Sequence, residues 1–489
     1  LITAASGLCL ADAPVLPQGL VESEPAGGGS GPALPAGLAE EGRGDAGAKG
    51  PVLPEGLGGG AAVEIAEPAE RTGKAAPAGD RLKFPEGFSG YWEVRAGTRL
   101  KEDPVQDDIS LAETRLQLQF EKYLGKYLPG GGFQATGDLV YDAVEEDRGD
   151  VDLEEGGGFL DMRQLWVSFT PAGFMDVKLG RQVLTWGTGN LLFLNDLFPK
   201  DYQSFFLGRD LEYLKAPSDA VKASLYGDLA NLDLVYTPRF DADRFVDGSR
   251  LSFFDSAAGG LRGEDSPLDP VRPDGWFEDD ELAARLHRSL GGYELAAYGY
   301  RGFWKEPAGT DAAGRRTFPD LSVYGSSIRG PAASGIANAE VAWYDSRQDR
   351  QGNDSRIRNS QVRLLVGYER EIAADLTMGL QYYVDHMLDY DNYRENLPSG
   401  TAARDRDRRW ITVELTQKLM AQDQLQVGCF AFYSPSESDA YLRPAVVYDV
   451  TDSWRFELGG NVFLGRDRHT FFGQFTENTN IYAAVRYSF

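Results

Sequence analysis

From Tyr91 to the C-terminus, apolar and polar residues alternate with a period of two. Trp92, Val94, Ala96 and Leu100 interleave with Glu93, Arg95 and Arg99. Leu116, Leu118 and Phe120 do the same with Arg115, Gln117 and Gln119, as do Leu376, Met378, Leu380, Tyr382 and Val384 with Thr377, Gln381, Tyr383 and Asp385. Alternation of this kind predicts strands with one apolar and one polar face. About 18 such strands fit between residues 88 and 489, many of them ten residues or longer.

A soluble sandwich also alternates, but its strands are short and its links have no reason to alternate in length. Here short links such as Pro171-Ala172-Gly173, Gly291-Gly292 and Thr451-Asp452-Ser453 follow every second strand, and mostly long, charged links fall between them. Aromatic residues recur near strand ends, among them Trp92, Trp343, Tyr382 and Tyr448, as membrane interfaces require. The pattern predicts an all-β, transmembrane antiparallel barrel over residues 85–489. In the last segment Ile481, Ala483, Val485, Tyr487 and Phe489 alternate with polar or small residues. This ending, with Tyr487 and Phe489, resembles the assembly signal of bacterial outer-membrane proteins and implies contact with barrel-assembly machinery. The implied setting is the outer membrane of a Gram-negative cell, in contact with lipid and lipopolysaccharide, with both chain ends periplasmic.

The N-terminal part reads differently. Residues 1–11, Leu-Ile-Thr-Ala-Ala-Ser-Gly-Leu-Cys-Leu-Ala, read as the end of a signal peptide. Residues 12–84 are rich in Pro, Gly and Ala, contain no aromatic residue before Phe84, and are expected to be a disordered tail. Within it a phrase recurs, placing Leu16 and Leu20, Leu34 and Leu38, and Leu53 and Leu57 at fixed offsets from Pro and Gly. Two readings fit: a duplicated spacer, or a set of motifs that dock to a periplasmic or inner-membrane transport partner.

Composition narrows the functional classes. With 49 Lys+Arg against 75 Asp+Glu, the net charge of −26 excludes a nucleic-acid binder, and a mean hydropathy of −0.37 excludes a bundle of membrane helices. Three His and two Cys give little material for a metal centre. The acidic link from Glu145 to Glu155 matches no EF-hand spacing and reads as a solvated loop, so neither a metal nor a cofactor is expected. No Gly-x-Ser-x-Gly turn accompanies His287, His386 or His469, so an enzyme is not expected.

A barrel of this size encloses space that its wall cannot fill. The polar parity supplies Arg95, Arg115, Glu340, Arg363, Arg455 and Glu457 as lumen-wall residues. Strict alternation from Val177 and Leu179 would turn Arg181 toward lipid, so a bulge near Gly180 is expected to return it to the lumen. The link that follows, about 190–219, is too rich in Phe and Leu to lie in water. It is expected to fold inward as a constriction, with Asp196, Lys200, Asp201, Arg209 and Asp210 facing the passage; a cap outside the barrel or a protomer contact is the alternative. Here Gly180-Arg181-Gln182, Trp186-Gly187, Asn195-Asp196 and Pro199-Lys200-Asp201 resemble a poorly characterised family of porin-like bacterial outer-membrane proteins. That resemblance implies structural or channel roles for Arg181, Gln182, Trp186, Asp196 and Asp201. The expected function is a porin-like channel for small polar or amphipathic solutes. The alternative is an export conduit or scaffold docked through the tail repeats.

Overall fold

A computed structural model describes residues 85–489, apart from 146–148, 150, 256–257, 400 and 402. The tail and its repeat leucines, and Glu146, Asp147 and Asp150 of the acidic link, lie outside the described residues. Eighteen strands form one sheet: β1 (Phe88–Arg99), β2 (Ile109–Tyr123), β3 (Gly132–Asp142), β4 (Leu160–Ala172), β5 (Met175–Val183), β6 (Pro217–Leu225), β7 (Asn231–Thr237), β8 (Glu281–Leu290) and β9 (Tyr293–Phe303) make the first half. The second half is β10 (Asp320–Ala332), β11 (Gly335–Ser346), β12 (Gln361–Ala373), β13 (Leu376–Met387), β14 (Asp407–Leu419), β15 (Leu425–Ser434), β16 (Asp439–Asp449), β17 (Trp454–Leu464) and β18 (Asn480–Ser488). Each strand pairs antiparallel with the next, and β18 returns to β1 with Tyr487 opposite Trp92 and Val485 opposite Val94. The sheet has no free edge.

Turn chemistry sets one end of the barrel. Gly291 and Gly292 join β8 to β9 at φ +60° and +86°, the left-handed pair that a two-residue hairpin turn needs. Ala333 and Ser334 adopt the same sign between β10 and β11, at φ +42° and +66°. The opposite end carries the long links, including residues 184–216 and 238–280; the link 435–438 between β15 and β16 is a short exception.

Burial is inverted relative to a water-soluble protein. Val366, Leu282 and Leu364 are 60%, 50% and 47% exposed, whereas Arg95, Arg115, Glu93 and Asp138 are buried. The exposed set lies mainly on the outward parity of the strands, and only hydrocarbon solvates such a belt favourably. At the closing seam Phe489 exchanges backbone hydrogen bonds with Gly90, and Tyr487 packs on Trp454 at 4.9 Å. The inner wall is less polar than its sequence parity suggests. Tyr298, Tyr344, Tyr383, Trp410, Phe430, Tyr441 and Phe463 all point inward and are buried.

If lipid covers the outer face, Leu364→Arg should lower the unfolding free energy in lipid vesicles by about 2–4 kcal/mol. Denaturant titration of the refolded barrel measures it. An unchanged midpoint would show that Leu364 does not face hydrocarbon.

Candidate functional site: the loop across the lumen

The link 184–216 enters the barrel and packs into a continuous apolar cluster with the inner wall. Leu184, Trp186, Leu194, Phe198, Phe205, Phe206, Leu207 and Leu214 are its buried members. Trp186 meets Phe198 edge-on at 4.9 Å and lies 6.2 Å from Tyr298 of β9. Phe206 meets Tyr441 of β16 and Phe463 of β17, each at 5.3 Å. These partners sit on well-separated strands of the wall, so the loop crosses the lumen.

Its secondary structure is brief and held from outside. Asp201 caps the six-residue helix α1 (Tyr202–Leu207) by accepting from Ser204 N at 2.7 Å. The helix ends at Gly208, φ +92°, where a Cβ would lie 2.3 Å from the Tyr482 ring, so only glycine fits. The carbonyls released at this end meet wall guanidiniums. Arg443 donates to Phe205 O and Arg209 O, both at 2.6 Å, and Arg95 donates to Gly208 O at 2.7 Å. Cations at a helix C-terminus also oppose its dipole. Farther along, Arg163 donates to Lys215 O at 2.7 Å, and Arg209 donates to Glu113 at 2.8 Å.

Glu340 of β11 secures the entering segment. Its carboxylate accepts from Thr188 N, from Thr188 Oγ1 at 2.8 Å, from Gly189 N at 2.9 Å and from Asn195 Nδ2 at 2.7 Å. Tyr344, four residues on, donates its hydroxyl to Leu194 O at 2.6 Å. One buried carboxylate thus closes the turn 188–195 against the wall.

The sequence-derived residues fall into two groups. Arg95, Arg115, Glu340, Arg363, Arg455 and Glu457 all lie on the inward parity; Arg95 bridges Glu93 and Glu457, Arg115 bridges Glu113 and Asp138, and Arg455 pairs with Asp449. The loop charges, by contrast, do not face an open passage. Asp196 and Lys200 form a buried ion pair at 3.0 Å, and Asp201 is buried between the α1 cap and Arg244. Asp210 lies against Arg486 at 2.9 Å. Burial raises the pKa of Asp210, but Arg486 and Arg95 overcome it and hold it down at about 2. Trp186 and Gln182 are buried too, the latter donating to the carbonyls of Gly180 and Ala220.

Arg181 needs a correction. Pairing runs unbroken through Gly180 on both sides, Arg181 lying opposite Leu165 and Asp219, so no bulge turns it inward there. It keeps the outward parity of Leu179, pairs with Asp219 at 3.2 Å and donates to Leu153 O at 3.0 Å. Cover from the long link 143–159 and a carboxylate neighbour remove the cost that the bulge was invoked to avoid. The neighbouring strand β4 does carry a bulge, where its register against β3 shifts between Thr136 and Gly137.

The inner-wall aromatics were not singled out in the sequence. A signal for them exists: β15 carries Phe430 and Phe432 on its inward parity and Val427, Cys429 and Tyr433 on the other. A strand apolar on both faces needs a partner on each.

A second buried cluster supports the far side of the loop. Asp243, in the link 238–280, accepts from Lys200 N at 2.8 Å. Burial pushes its pKa up to about 7, with Lys200 opposing the rise.

No protein-family model matches the chain, and no curated protein matches it. Among solved structures it is similar to OccAB1 of Acinetobacter baumannii, at 10% identity over 82% of this chain and 96% of that one, with a TM-score of 0.47. OccK11 (OpdR) of Pseudomonas aeruginosa is similar at 11% identity, 82% and 95% coverage and a TM-score of 0.46. OmpF of Salmonella typhi, solved with daunomycin, is similar at 9% identity, 82% and 97% coverage and a TM-score of 0.40.

Glu340→Ala leaves several donors without their acceptor, at about 1–3 kcal/mol each where they stay dry. Hydrogen exchange across residues 186–196 should speed up while that of the wall strands stays slow; uniform protection would show that Glu340 does not secure the loop. For Asp243, the folded pKa lies above the ordinary carboxylate value, so the fold binds the proton more tightly. Stability therefore falls as pH rises from about 4 to about 7, by ~1–3 kcal/mol. Asp243→Asn should flatten that dependence in denaturant titrations at pH 5 and pH 8.

Proposed function

We propose that the chain is a porin-like channel of a Gram-negative outer membrane, admitting small polar or amphipathic solutes past a constriction formed by residues 184–216. The observation that carries this reading is the loop crossing the lumen, tied by Glu340, Tyr344, Arg95 and Arg443 to separate parts of the wall. A wall built only for stability has no need of a segment threaded through its interior. A loop that narrows the barrel sets which solutes pass, by size and by the groups it presents. On this reading Arg95, Arg443 and Glu340 are positioning residues, and Phe205, Phe206 and Trp186 give the loop its bulk.

The threefold Leu-containing repeat of the tail favours a second reading, in which the barrel is an export conduit or scaffold docked to periplasmic or inner-membrane machinery.

Planar-bilayer recording of the refolded full-length chain tests the first reading. Stepwise conductance is expected, and deletion of residues 191–212 should raise the unit step about severalfold because the lumen is then held open by the wall alone. A loop deletion that folds but conducts like the parent would remove the constriction. Absence of any conductance in both forms would remove the channel.

A further inference from the structure

The outer face of the wall is not uniformly filled. Over β8 to β12 a groove of about 750 Å³ opens toward the hydrocarbon, because three consecutive strands place small side chains there: Ala297 on β9, Ser326 on β10 and Ala339 on β11. Larger residues wall it, among them Leu286 of β8 and Leu364 of β12, which are 50% and 47% exposed. Five strands at the usual spacing give it a length of about 19 Å.

The strand register makes the groove climb. Arg288 lies opposite Leu295, Leu295 opposite Ile328, Ile328 opposite Ala339, and Ala339 opposite Val366. Arg288 stands two residues before Leu290, where β8 ends at its short turn; Ile328 stands four before Ala332, and Val366 seven before Ala373. One row of side chains therefore starts beside the short turns and rises into the wall, by about 17 Å measured along a strand.

On the outward side, charge sits at the low end of this groove. Arg288 is exposed and belongs to no ion pair among the described residues, whereas Arg285, which faces the lumen, lies near Asp233 and Glu294. The other ionisable residues that border the groove point inward, His287 toward Asp233 at 3.4 Å and Glu340 toward the loop. A guanidinium on the lipid side of a barrel costs little near the interface, where it meets headgroups, and much more toward the midplane. An apolar trough leading upward from such a cation matches the polarity of one kind of molecule, with a phosphate at the mouth and an acyl chain above it.

We propose that this groove is a binding site for a phospholipid of the leaflet at the short turns, with its phosphate on Arg288 and one acyl chain lying over Ala297, Ser326 and Ala339. In a Gram-negative outer membrane the short turns of such barrels face the periplasm, so the lipid comes from that leaflet. A second copy of the chain fits less well, because its apolar outer face would leave Arg288 covered without a counter-charge. The site rests on the barrel lying in that membrane, not on conduction.

Native mass spectrometry of the delipidated full-length chain in detergent, titrated with dioleoylphosphatidylglycerol, tests the site. One lipid is expected to bind ahead of any others. Arg288→Gln should weaken that binding roughly tenfold, as loss of one charge-assisted contact implies. Ala339→Phe should abolish it by filling the trough, and Ser326→Leu is the milder filling variant. All three positions face hydrocarbon, so the circular dichroism spectra should match the parent's. Val446→Phe, on the outer face of β16, should leave the affinity unchanged. Dioleoylglycerol, which lacks the phosphate, should bind at least tenfold more weakly than the phospholipid. Equal affinity for the two lipids, or unchanged affinity in Arg288→Gln and both filling variants, would overturn the site. So would tighter binding of lipid A, or a dimer that Ala339→Phe dissociates without loss of lipid. Planar-bilayer conductance of these variants should equal the parent's. Lipid binding without conductance would remove the channel and keep the groove, and conductance without lipid binding would do the reverse.

Discussion

Hydrocarbon offers no partner for a peptide N–H or C=O, and that constraint organises the molecule from the first strand to the last. Each barrel strand finds both neighbours in the same closed sheet, and the pairing of β18 with β1 removes the edge that an open sheet would expose. Closure then forces the division of faces. Outward positions such as Val366 and Leu282 are free to be apolar, and inward positions such as Arg95 and Asp138 are free to be charged. Once the wall is closed, the remaining physical question is what occupies its interior.

The interior is occupied by two kinds of contact with different roles. Apolar packing fills space: Phe205, Phe206 and Phe198 interlock with Tyr441, Phe463 and Trp186. Polar contacts fix position. A loop threaded through a barrel carries carbonyls that water cannot readily reach, and Arg95, Arg163 and Arg443 answer them from the wall. Guanidinium suits this use because it offers several donors at fixed angles and keeps its charge on burial. The same side chains that read as a polar lining in the sequence therefore serve as fasteners for the loop.

Much of the wall was legible in the chain, because a period of two is imposed by the pleat and a charged inward parity by the enclosed space. Strand number, closure at Phe489 and the asymmetry of the links follow from those rules without knowledge of any tertiary contact. The loop was legible in part: its phenylalanines could not lie in water, so burial was implied. Its charges were misread for a physical reason. Asp196, Lys200 and Asp201 are i, i+4 and i, i+5 neighbours that satisfy one another or a cap once buried, and sequence cannot separate such a pair from two charges facing water. Arg181 failed similarly, since its partner Asp219 lies 38 positions away.

The arginines of the inner wall are matched by carboxylates. Arg95, Arg115, Arg209, Arg244 and Arg486 each have a carboxylate within hydrogen-bonding distance, so the described lumen neutralises itself over most of its wall. Arg363 and Arg404 follow the same rule at longer range: with Arg358 they act on the Glu306 carboxylate and lower its pKa against the burial that raises it.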